Sequence, residues 1–326
     1  MRIAVSGSIA TDHLMAFPGR FTDQLIPDQL AHISLSFLVD DLEVRRGGVA
    51  ANIAYGLGRL GLAPLLVGSV GLDFDAYEVW LKDHGVDTGA VRVSDTAQTA
   101  RFVCITDQDS NQIAAFYAGA MSEAREIDLA PLAAQDRPDL VLVCANDPAA
   151  MIRHTRQARA LGIPFAADPS QQLARLTGRE ATELVAGATW LFTNEYEAAL
   201  LVERTGQARE DILASAGTWV TTLGERGVRI EREGEPELLV PAVPCDHVTD
   251  PTGAGDGFRA GFLTAVAAGL PLIAAGRLGC AVAASVLDTV GPQGYETDPA
   301  RLEERVRAAY GADAAAQLRP VLGKGA

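Results

Sequence analysis

Residues 250–262 read DPTGAGDGFRAGF and combine a run of small residues with a carboxylate. Gly253, Ala254 and Gly255 lie where the pattern predicts the start of a long helix, and the N–H groups of a helix start can hold a phosphoryl group. Asp256 follows in the first turn, where its carboxylate can accept a proton from an alcohol that attacks this group. The segment therefore predicts a phosphoryl-transfer site with Asp256 as general base and the glycine-rich turn as anion hole. The alternative is a glycine-rich loop whose acidic residue merely suits the helix dipole.

The sequence gives little support to two other phosphate-binding motifs. The pattern GxxxxGK[ST] occurs nowhere in the sequence, so a Walker-type loop is disfavoured. Residues 56–61, GLGRLG, satisfy GxGxxG, but they lie at the predicted end of a helix. The dinucleotide fingerprint instead lies between a strand and the start of a helix. Residues 250–262 therefore remain the predicted phosphate site, and a dehydrogenase is disfavoured.

Short apolar runs alternate with amphipathic stretches along the chain, which is typical of a mainly parallel sheet covered by helices. The predicted strands are Ile3–Val5, Leu65–Val70, Leu140–Cys144, Phe165–Ala167, Trp190–Phe192 and Trp219–Thr222. Residues 250–310 are rich in alanine and predicted to be helical, with a break at residues 269–271. Ile33–Val44 and Thr99–Tyr117 alternate apolar and polar residues, which predicts an antiparallel flap.

The composition narrows the range of partners. With 326 residues, the chain can form one large unit with a smaller appendage. Its 42 acidic and 27 basic residues give a formal charge of −15, which opposes binding to nucleic acid or to an anionic membrane surface. We expect no partner of either kind. The N-terminus has no signal-peptide layout, the apolar runs are too short to span a bilayer and the cysteines show no CxxC spacing, so we expect a cytoplasmic protein.

Four segments resemble, in the same order, elements of the ribokinase-like (PfkB-type) sugar and nucleoside kinases. Residues 250–262 resemble the family's second signature and residues 46–54, RGGVAANIA, the first. Residues 194–197, NEYE, resemble its Asn-x-x-Glu element, and residues 221–227, TTLGERG, its nucleotide-side turn. The resemblance implies one kinase domain over residues 1–326, with a three-layer α/β/α sandwich around a mostly parallel sheet. It also implies a small β-sheet lid, with strands inserted at about residues 14–46 and 98–118.

The same resemblance implies ATP as phosphate donor, together with Mg²⁺. It assigns four residues to ATP, two of them glycines: Asn194, Thr222, Gly224 and Gly227. Glu197 is expected to hold Mg²⁺ through water, and Asp250 and Thr252 resemble a K⁺ site of the family.

Each of these elements also has a simpler interpretation. Asn194 and Glu197 have the spacing of a capping box. Gly224 and Gly227 can be ordinary hairpin glycines. The pair Gly47-Gly48 can be a plain turn before a helix.

Several residues are suited to a nucleoside acceptor. Asp12 and Asn52 are short polar groups that suit a vicinal diol, and the resemblance implies that they bind sugar hydroxyls. A turn aspartate and a polar residue at a helix start are the alternatives. Phe102 and Phe116 lie in the flap, where two rings could sandwich a flat base or form the flap's own small core. Gln172, beside Gln171, has a carboxamide that can both donate to and accept from an adenine edge.

Residues 3–14, 34–41, 119–124 and 166–176 resemble one branch of the family, the bacterial adenosine kinases of actinobacterial type. By this resemblance, nine residues surround the nucleoside: Ser8, Asp12, Ser36, Gly48, Asn52, Phe102, Phe116, Gln172 and Asp256. The expected reaction is ATP-dependent phosphorylation of the adenosine 5′-hydroxyl to give AMP, a step of purine salvage, by a homodimer formed through the β lid.

Two alternatives stay open. A sugar kinase of the ribokinase or fructokinase type would use Asp12 and Asn52. It would have no use for Phe102, Phe116 and Gln172. A non-catalytic nucleoside-binding regulator would not need Asp256.

Overall fold

The computed structural model describes residues 1–25, 34–245 and 247–323. Its strands, in chain order, are β1 (Ile3–Ser6), β2 (Ala10–Ala16), β3 (Asp41–Gly47), β4 (Leu65–Val70), β5 (Asp87–Val93), β6 (Ala100–Thr106), β7 (Gln112–Tyr117), β8 (Leu140–Cys144), β9 (Phe165–Asp168), β10 (Trp190–Asn194), β11 (Trp219–Thr222), β12 (Val228–Glu231) and β13 (Leu238–Val240). Its helices are α1 (Phe21–Gln24), α2 (Val49–Arg59), α3 (Asp75–Asp83), α4 (Leu129–Gln135), α5 (Pro148–Ala160), α6 (Gly178–Val185), α7 (Glu195–Thr205), α8 (Arg209–Ser215), α9 (Ala254–Ala267), α10 (Leu272–Leu287), α11 (Pro299–Tyr310) and α12 (Ala312–Leu322). Short 3₁₀ turns lie at Leu72–Phe74, Gly119–Glu126, Ser170–Ala174 and Gly224–Arg226.

Within the described ranges, nine strands form one large sheet in the order β13-β12-β11-β10-β9-β8-β1-β4-β5. All neighbouring pairs from β11 to β5 are parallel, whereas β12 and β13 are antiparallel additions at one edge. The strands predicted at Leu65–Val70, Leu140–Cys144 and Trp219–Thr222 coincide with β4, β8 and β11. The prediction of a mostly parallel sheet is therefore confirmed.

Alternate residues of the central strands face two separate hydrophobic cores. In β1, Ile3 and Val5 pack in a core with α2, α9 and α10, whereas Ala4 packs in a second core with α5, α6 and α7. Strands covered on both faces consist of nearly continuous apolar residues, which explains why they were easy to predict. The sheet is thus the middle layer of an α/β/α sandwich, as expected. None of the helices in the described ranges is long and apolar enough to cross a membrane.

A separate four-stranded sheet, in the order β3-β2-β6-β7, forms the lid. β2 pairs antiparallel with β3 and parallel with β6, and β6 pairs antiparallel with β7. The prediction of an antiparallel flap was therefore wrong in one respect, because the lid is a mixed sheet. β2 itself was not predicted, because Thr11, Asp12 and His13 are consecutive polar residues that interrupt the apolar alternation typical of a strand.

The first half of the lid also begins later than the sequence pattern indicates. The strand predicted over Ile33–Val44 starts only at Asp41, and residues 34–40 form no strand. Phe37 packs there on the rings of Phe17 and Phe21, with centroids 5.0 Å away in both cases. Phe37 thus packs locally on aromatic rings and not on a sheet face, whereas Leu35 and Leu38 are exposed. Residues 26–33, which include Ile33 and part of the predicted lid insertion, lie outside the described residues.

Candidate active site

The carboxyl ends of β1, β8, β9, β10 and β11 lie at one edge of the large sheet, because these strands are mutually parallel. α2 follows the lid strand β3, and α7 follows β10 directly. In open α/β sheets, ligands bind outside the carboxyl ends of the strands, where the strand order reverses. The predicted site residues on α2, α7 and α9 are positioned by this edge.

The glycine-rich turn opens α9 as predicted. Gly253 has φ +80°, and a Cβ at this position would lie 2.4 Å from Cβ of Pro292, so the turn requires glycine for two reasons. Within the described residues, the N–H groups of Gly255 and Asp256 donate no hydrogen bond. Two unpaired donors at a helix N-terminus form a binding site for an anion.

Asp250 anchors the loop that precedes α9. Its Oδ1 accepts the N–H of Thr252 at 2.9 Å. Its Oδ2 accepts the N–H of Gly291 at 3.0 Å and Nη1 of Arg45 at 2.9 Å. Asp250 therefore ties this loop both to the segment after α10 and to the lid strand β3.

Asp256 belongs to a chain of hydrogen bonds that begins in the core. Nδ2 of Asn52 donates to Oδ2 of Asp256 at 2.8 Å, and Oδ1 of Asn52 accepts Nε2 of Gln293 at 2.9 Å. Oε1 of Gln293 accepts Nε1 of Trp80 at 3.0 Å, and Nε2 of Gln293 also donates to the hydroxyl of Tyr77 at 2.5 Å. The amide of Asn52 thus has a fixed orientation, with its N–H directed at Asp256.

The electrostatic surroundings of Asp256 suit a general base. Burial raises the pKa of its carboxyl to about 7, while Arg259 and the hydrogen bond from Asn52 oppose this shift. Asp168 and Glu197 raise the pKa further through charge repulsion. A base with a pKa near neutrality is efficient because it is both ionised and a good proton acceptor at the working pH.

The lid places four of its residues in one row. Arg45 on β3 lies opposite Asp12 on β2, Asp12 lies beside Phe102 on β6, and Phe102 lies opposite Phe116 on β7. Directly paired residues project from the same face of a sheet. Phe116 is 49% exposed, so it is not part of a core of the lid. Both side chains thus project from one face of the lid, and their contact with a base stays a prediction.

Burial raises the pKa of the Asp12 carboxyl to about 6, with Arg45 opposing and Asp250 reinforcing the shift. Gly47 leaves room for this carboxylate, since a Cβ there would lie 2.9 Å from Oδ2 of Asp12. Gly48 has φ +95°, and a Cβ would lie 2.6 Å from the carbonyl oxygen of Ser8. The glycine pair is therefore required for the close approach of β1, β2 and α2.

Two predicted nucleoside contacts have contrasting surroundings. Oγ of Ser8 accepts the N–H of Val49 at 3.0 Å, so it supports the start of α2. Ser36 is exposed before β3 and makes no hydrogen bond with a described residue. The structure thus brings Ser8 to the sheet edge but shows no contact between Ser36 and the site.

Gln171 and Gln172 follow β9 in a 3₁₀ turn, but only Gln172 is buried. It is 7% exposed, and its Oε1 has no hydrogen-bond partner among the described residues. Gln171 is exposed and accepts the hydroxyl of Ser170 at 2.6 Å. An unpaired buried acceptor destabilises a protein. Gln172 therefore has the properties of a ligand-binding residue, because a donor group of a ligand would pair its Oε1.

The residues predicted to lie on the ATP side also have the structural roles that their local patterns suggest. Asn194 and Glu197 form a reciprocal capping box at the start of α7, with both hydrogen bonds at 2.8 Å. Burial raises the pKa of the Glu197 carboxyl, and Arg259 opposes this shift. Both residues nevertheless lie where β10 ends, so capping and ligand binding are compatible.

Thr222 ends β11, and the next residues form the turn into β12. Gly224 has φ +60°, and Gly227 has φ +93° with a Cβ that would lie 2.0 Å from the carbonyl oxygen of Val240. The turn closes with a hydrogen bond from the N–H of Leu223 to the carbonyl of Gly227 at 2.8 Å. Gly227 is therefore required by the backbone, and the positive φ of Gly224 favours glycine there, whatever their role toward a nucleotide.

Sequence reasoning missed Gln293 and Tyr77. Gln293 lies in the segment GPQG after α10, which has the composition of an ordinary turn, and it contacts Asn52 across 241 positions of sequence. Tyr77 lies on the amphipathic helix α3, where an aromatic residue is typical of the core face. No local pattern marked either residue as part of the site.

Comparison with known proteins shows the family to which the chain belongs. Residues 11–298 match the model of the pfkB family of carbohydrate kinases. The chain is 31% identical over 288 residues to a nucleoside kinase of Methanothermobacter thermautotrophicus, covering 87% of this chain and 92% of the relative. It is 29% identical over 249 residues to a nucleoside kinase of Methanocaldococcus jannaschii, covering 76% of this chain and 80% of the relative.

Solved structures give the same result. The nucleoside kinase of Burkholderia thailandensis in complex with inosine has a TM-score of 0.84 and 32% identity, covering 95% of this chain and 99% of that chain. Its complex with ADP-inosine has a TM-score of 0.81 and 34% identity, covering 95% and 96%. The chain therefore belongs to the pfkB family of carbohydrate kinases and has the ribokinase-like fold. The predicted family is confirmed, and the protein is an ATP-dependent kinase of a nucleoside or a sugar.

Proposed function

We propose that this kinase transfers the γ-phosphoryl group of ATP to the 5′-hydroxyl of adenosine, giving AMP and ADP. Asp256 accepts the proton of the attacking hydroxyl. The N–H groups of Gly255 and Asp256, at the start of α9, stabilise the charge on the transferred group, whereas the N–H of Ala254 already donates to the carbonyl of Pro251 at 3.3 Å. The observation that supports this chemistry is the Asp256 carboxylate beside the two unpaired N–H groups of Gly255 and Asp256. A protein that only bound nucleosides would gain nothing from this combination.

The acceptor side supports a nucleoside over a free sugar. The lid row presents a carboxylate, Asp12, next to two aromatic rings, so ribose hydroxyls and a base could contact one continuous face. Asn52 would bind the ribose from α2, beside Ser8 and Gly48. The buried Oε1 of Gln172 lacks a donor, and the adenine 6-amino group would supply one. Free ribose would leave the rings and this oxygen unpaired.

The donor side requires ATP and Mg²⁺ near Asn194, Thr222, Gly224 and Gly227. The described residues contain no group of three or more His, Cys, Asp or Glu side chains that could hold a metal ion. Mg²⁺ commonly keeps several waters and binds substrate phosphates with only one or two carboxylates. Glu197, buried at the start of α7, fits the expected contact through water. Bound Mg²⁺ would neutralise phosphate charge.

The expected K⁺ site fits less well. Both carboxylate oxygens of Asp250 already accept hydrogen bonds, and one of these comes from the guanidinium of Arg45. A second cation beside Arg45 would be repelled. Asp250 and Thr252 thus fit an anchor of the loop better than a cation site, and no step is assigned to K⁺.

A homodimer through the lid is part of the proposal. All six residues of β7 are exposed, including Ile113, Phe116 and Tyr117. A small sheet with an open apolar edge is marginal alone, and pairing two such sheets would cover it. Light scattering should give twice the chain mass at micromolar concentration, and a monomer there would contradict the proposal.

An acceptor panel tests the function directly. ADP release should be measured with adenosine, inosine, guanosine, ribose and fructose, with Asp256→Asn as the inactive control. We expect the highest kcat/KM with adenosine. Preference for inosine would contradict adenosine specificity but keep a nucleoside kinase, preference for ribose or fructose would establish the sugar-kinase alternative, and nucleoside binding without any turnover would establish the regulator.

A further inference from the structure

A buried ion pair lies directly behind the proposed transfer site. Arg259 is on α9, one turn after Asp256, and its partner Asp168 is the last residue of β9. Nε of Arg259 lies 2.6 Å from Oδ2 of Asp168, and the two side chains are 7% and 0% exposed. Nη2 of Arg259 donates to Oδ1 of Asp168 at 2.7 Å. Only the second contact has hydrogen-bond geometry, and the two together form a fork on one carboxylate that restrains the guanidinium.

The third nitrogen of Arg259 contacts the anion hole itself. Nη1 donates to the carbonyl oxygen of Gly255 at 2.9 Å. This carbonyl and the N–H of Asp256 belong to the same planar peptide unit, in which they point in opposite directions. Because Gly255 lies in the first turn of α9, the helix already directs this carbonyl toward its C-terminal end. The contact with Arg259 is a second restraint, which keeps the N–H of Asp256 directed toward the space in front of the helix.

The charge of Arg259 also acts on the proposed base. Of the charged groups that face Asp256, Arg259 on α9 lowers its pKa, whereas Asp168 on β9 and Glu197 on α7 raise it. Arg259 changes the pKa of Asp256 more than either Asp168 or Glu197 does. Asn52, from α2, is a neutral hydrogen-bond donor.

Among the described residues, three further titratable groups that interact with the charge of Asp256 are neutral around pH 7. Burial raises the pKa values of all three: Tyr77, Cys144 and Tyr295. Arg259 is thus the cation among the described groups that act on the base.

Stability alone does not account for such a pair. Replacing a buried ion pair by neutral residues of similar size is often neutral or stabilising, because burial of two charges costs desolvation energy. We propose that Arg259, held by Asp168, is a positioning residue for phosphoryl transfer: it orients the Gly255–Asp256 peptide so that the N–H groups and the Asp256 carboxylate meet the same phosphoryl group. This inference rests on the proposed function of Asp256.

The double variant Arg259→Met with Asp168→Asn tests the proposal without leaving a buried unpaired charge. Misplacement of reacting groups by about 1 Å can cost about 100-fold, so we expect kcat to fall by about 10- to 100-fold. The KM for the nucleoside should change by less than about threefold, because neither residue reaches the acceptor. The acid limb of kcat/KM should move to higher pH, because the stronger of the two opposing charges on Asp256 is removed.

Two single variants separate position from charge. Arg259→Lys keeps the positive charge but loses the fork, so kcat should fall while the acid limb stays near its wild-type pH. Asp168→Asn keeps Arg259 and removes a negative charge, so the acid limb should move to lower pH. Arg259→Lys keeps a positive charge beside Asp168, so it keeps the proposal testable if the double variant does not fold.

A matched control lies at the opposite edge of the sheet. Arg209 pairs with Glu231, with side chains 28% and 15% exposed, and stacks 4.0 Å from the ring centroid of Trp219. The double variant Arg209→Met with Glu231→Gln should keep the wild-type kcat and pH profile, even where its melting temperature falls.

The proposal is wrong if the Arg259→Met, Asp168→Asn protein folds and keeps kcat within about twofold, with an unmoved acid limb. It is also wrong if kcat falls, in both that variant and the control, only in proportion to the fall in melting temperature. All rates should be measured with whichever acceptor the wild-type enzyme phosphorylates best. A sugar in that role would overturn the nucleoside assignment but would still test Arg259.

Discussion

The start of α9 and the lid are two parts of one candidate site, and they are built in opposite ways. Asp256 accepts a hydrogen bond from Asn52, which Gln293 orients in turn, and the charge of Arg259 lowers its pKa. The lid row ends in Phe116, which is 49% exposed, and the strand that carries it is exposed along its whole length.

This difference indicates that the start of α9 serves catalysis and the lid serves recognition of the acceptor. Groups that act in the transition state gain from being fixed before the substrate arrives, because no reorganisation is then needed during the reaction. A lid must move to admit a substrate and to exclude water. We therefore expect substitutions at α9 to change kcat and substitutions in the lid to change selectivity.

Asp256→Asn should have the largest effect. The change keeps the shape of the side chain but removes the proton acceptor, so kcat should fall by about 10²- to 10⁴-fold while adenosine binding stays within about threefold. Steady-state kinetics with a thermal-shift titration of adenosine measure the two quantities. Retention of more than about a tenth of wild-type kcat would contradict the role of Asp256.

Replacing Phe102 and Phe116 together with Ala should alter selectivity and leave the chemistry intact. Stacking of a base on aromatic rings contributes about 1–3 kcal/mol, so kcat/KM for adenosine should fall by about 10- to 100-fold. The value for ribose should not change. Tyr117→Ala is the control, because Tyr117 is equally exposed on β7 but projects from the other face. An equal loss for adenosine and ribose would show that the pair supports the lid and does not bind the base.

The pH dependence of kcat/KM tests whether Asp256 is buried at the start of α9. Because burial raises the pKa of Asp256 to about 7, the base is protonated and inactive below this pH. We expect kcat/KM for adenosine to fall about tenfold for each pH unit below that value and to level off above it. An acid limb near the usual pKa of an exposed aspartate, about 4, would show that the base is not buried as described.

Gln172→Leu should reduce selectivity without destabilising the protein. The substitution removes a buried oxygen that has no partner, so the melting temperature should stay the same or rise. The lost hydrogen bond should lower kcat/KM for adenosine by about three- to tenfold and narrow its advantage over guanosine. Gln171→Leu, at an exposed neighbouring position, should change neither quantity. A loss of stability in Gln172→Leu with unchanged selectivity would assign Gln172 to the fold.

The smallest effect is expected from monovalent cations. Arg45 already neutralises Asp250, so the rate in K⁺ should match the rate in tetramethylammonium at equal ionic strength. Stimulation by K⁺ alone would restore Asp250 and Thr252 as a cation site.

The sequence by itself determined the elements whose residues are selected by local rules. β4, β8 and β11 could be predicted because strands buried on both faces consist of apolar residues throughout. The start of α9 could be predicted because a glycine turn followed by an apolar helix is a local pattern. The family motifs also placed Asp256 in its first turn.

The tertiary structure alone decided which side chains meet. The row from Asp12 to Phe116 depends on the strand register of a mixed lid sheet that the sequence pattern did not predict, because a shift of one residue would reverse the faces. Arg259 and Asp168 are 91 positions apart, and Gln293 and Asn52 are 241 apart. From the sequence alone, each of these four polar residues could equally be exposed to solvent, because burial of a polar group depends on a distant partner that forms hydrogen bonds with it.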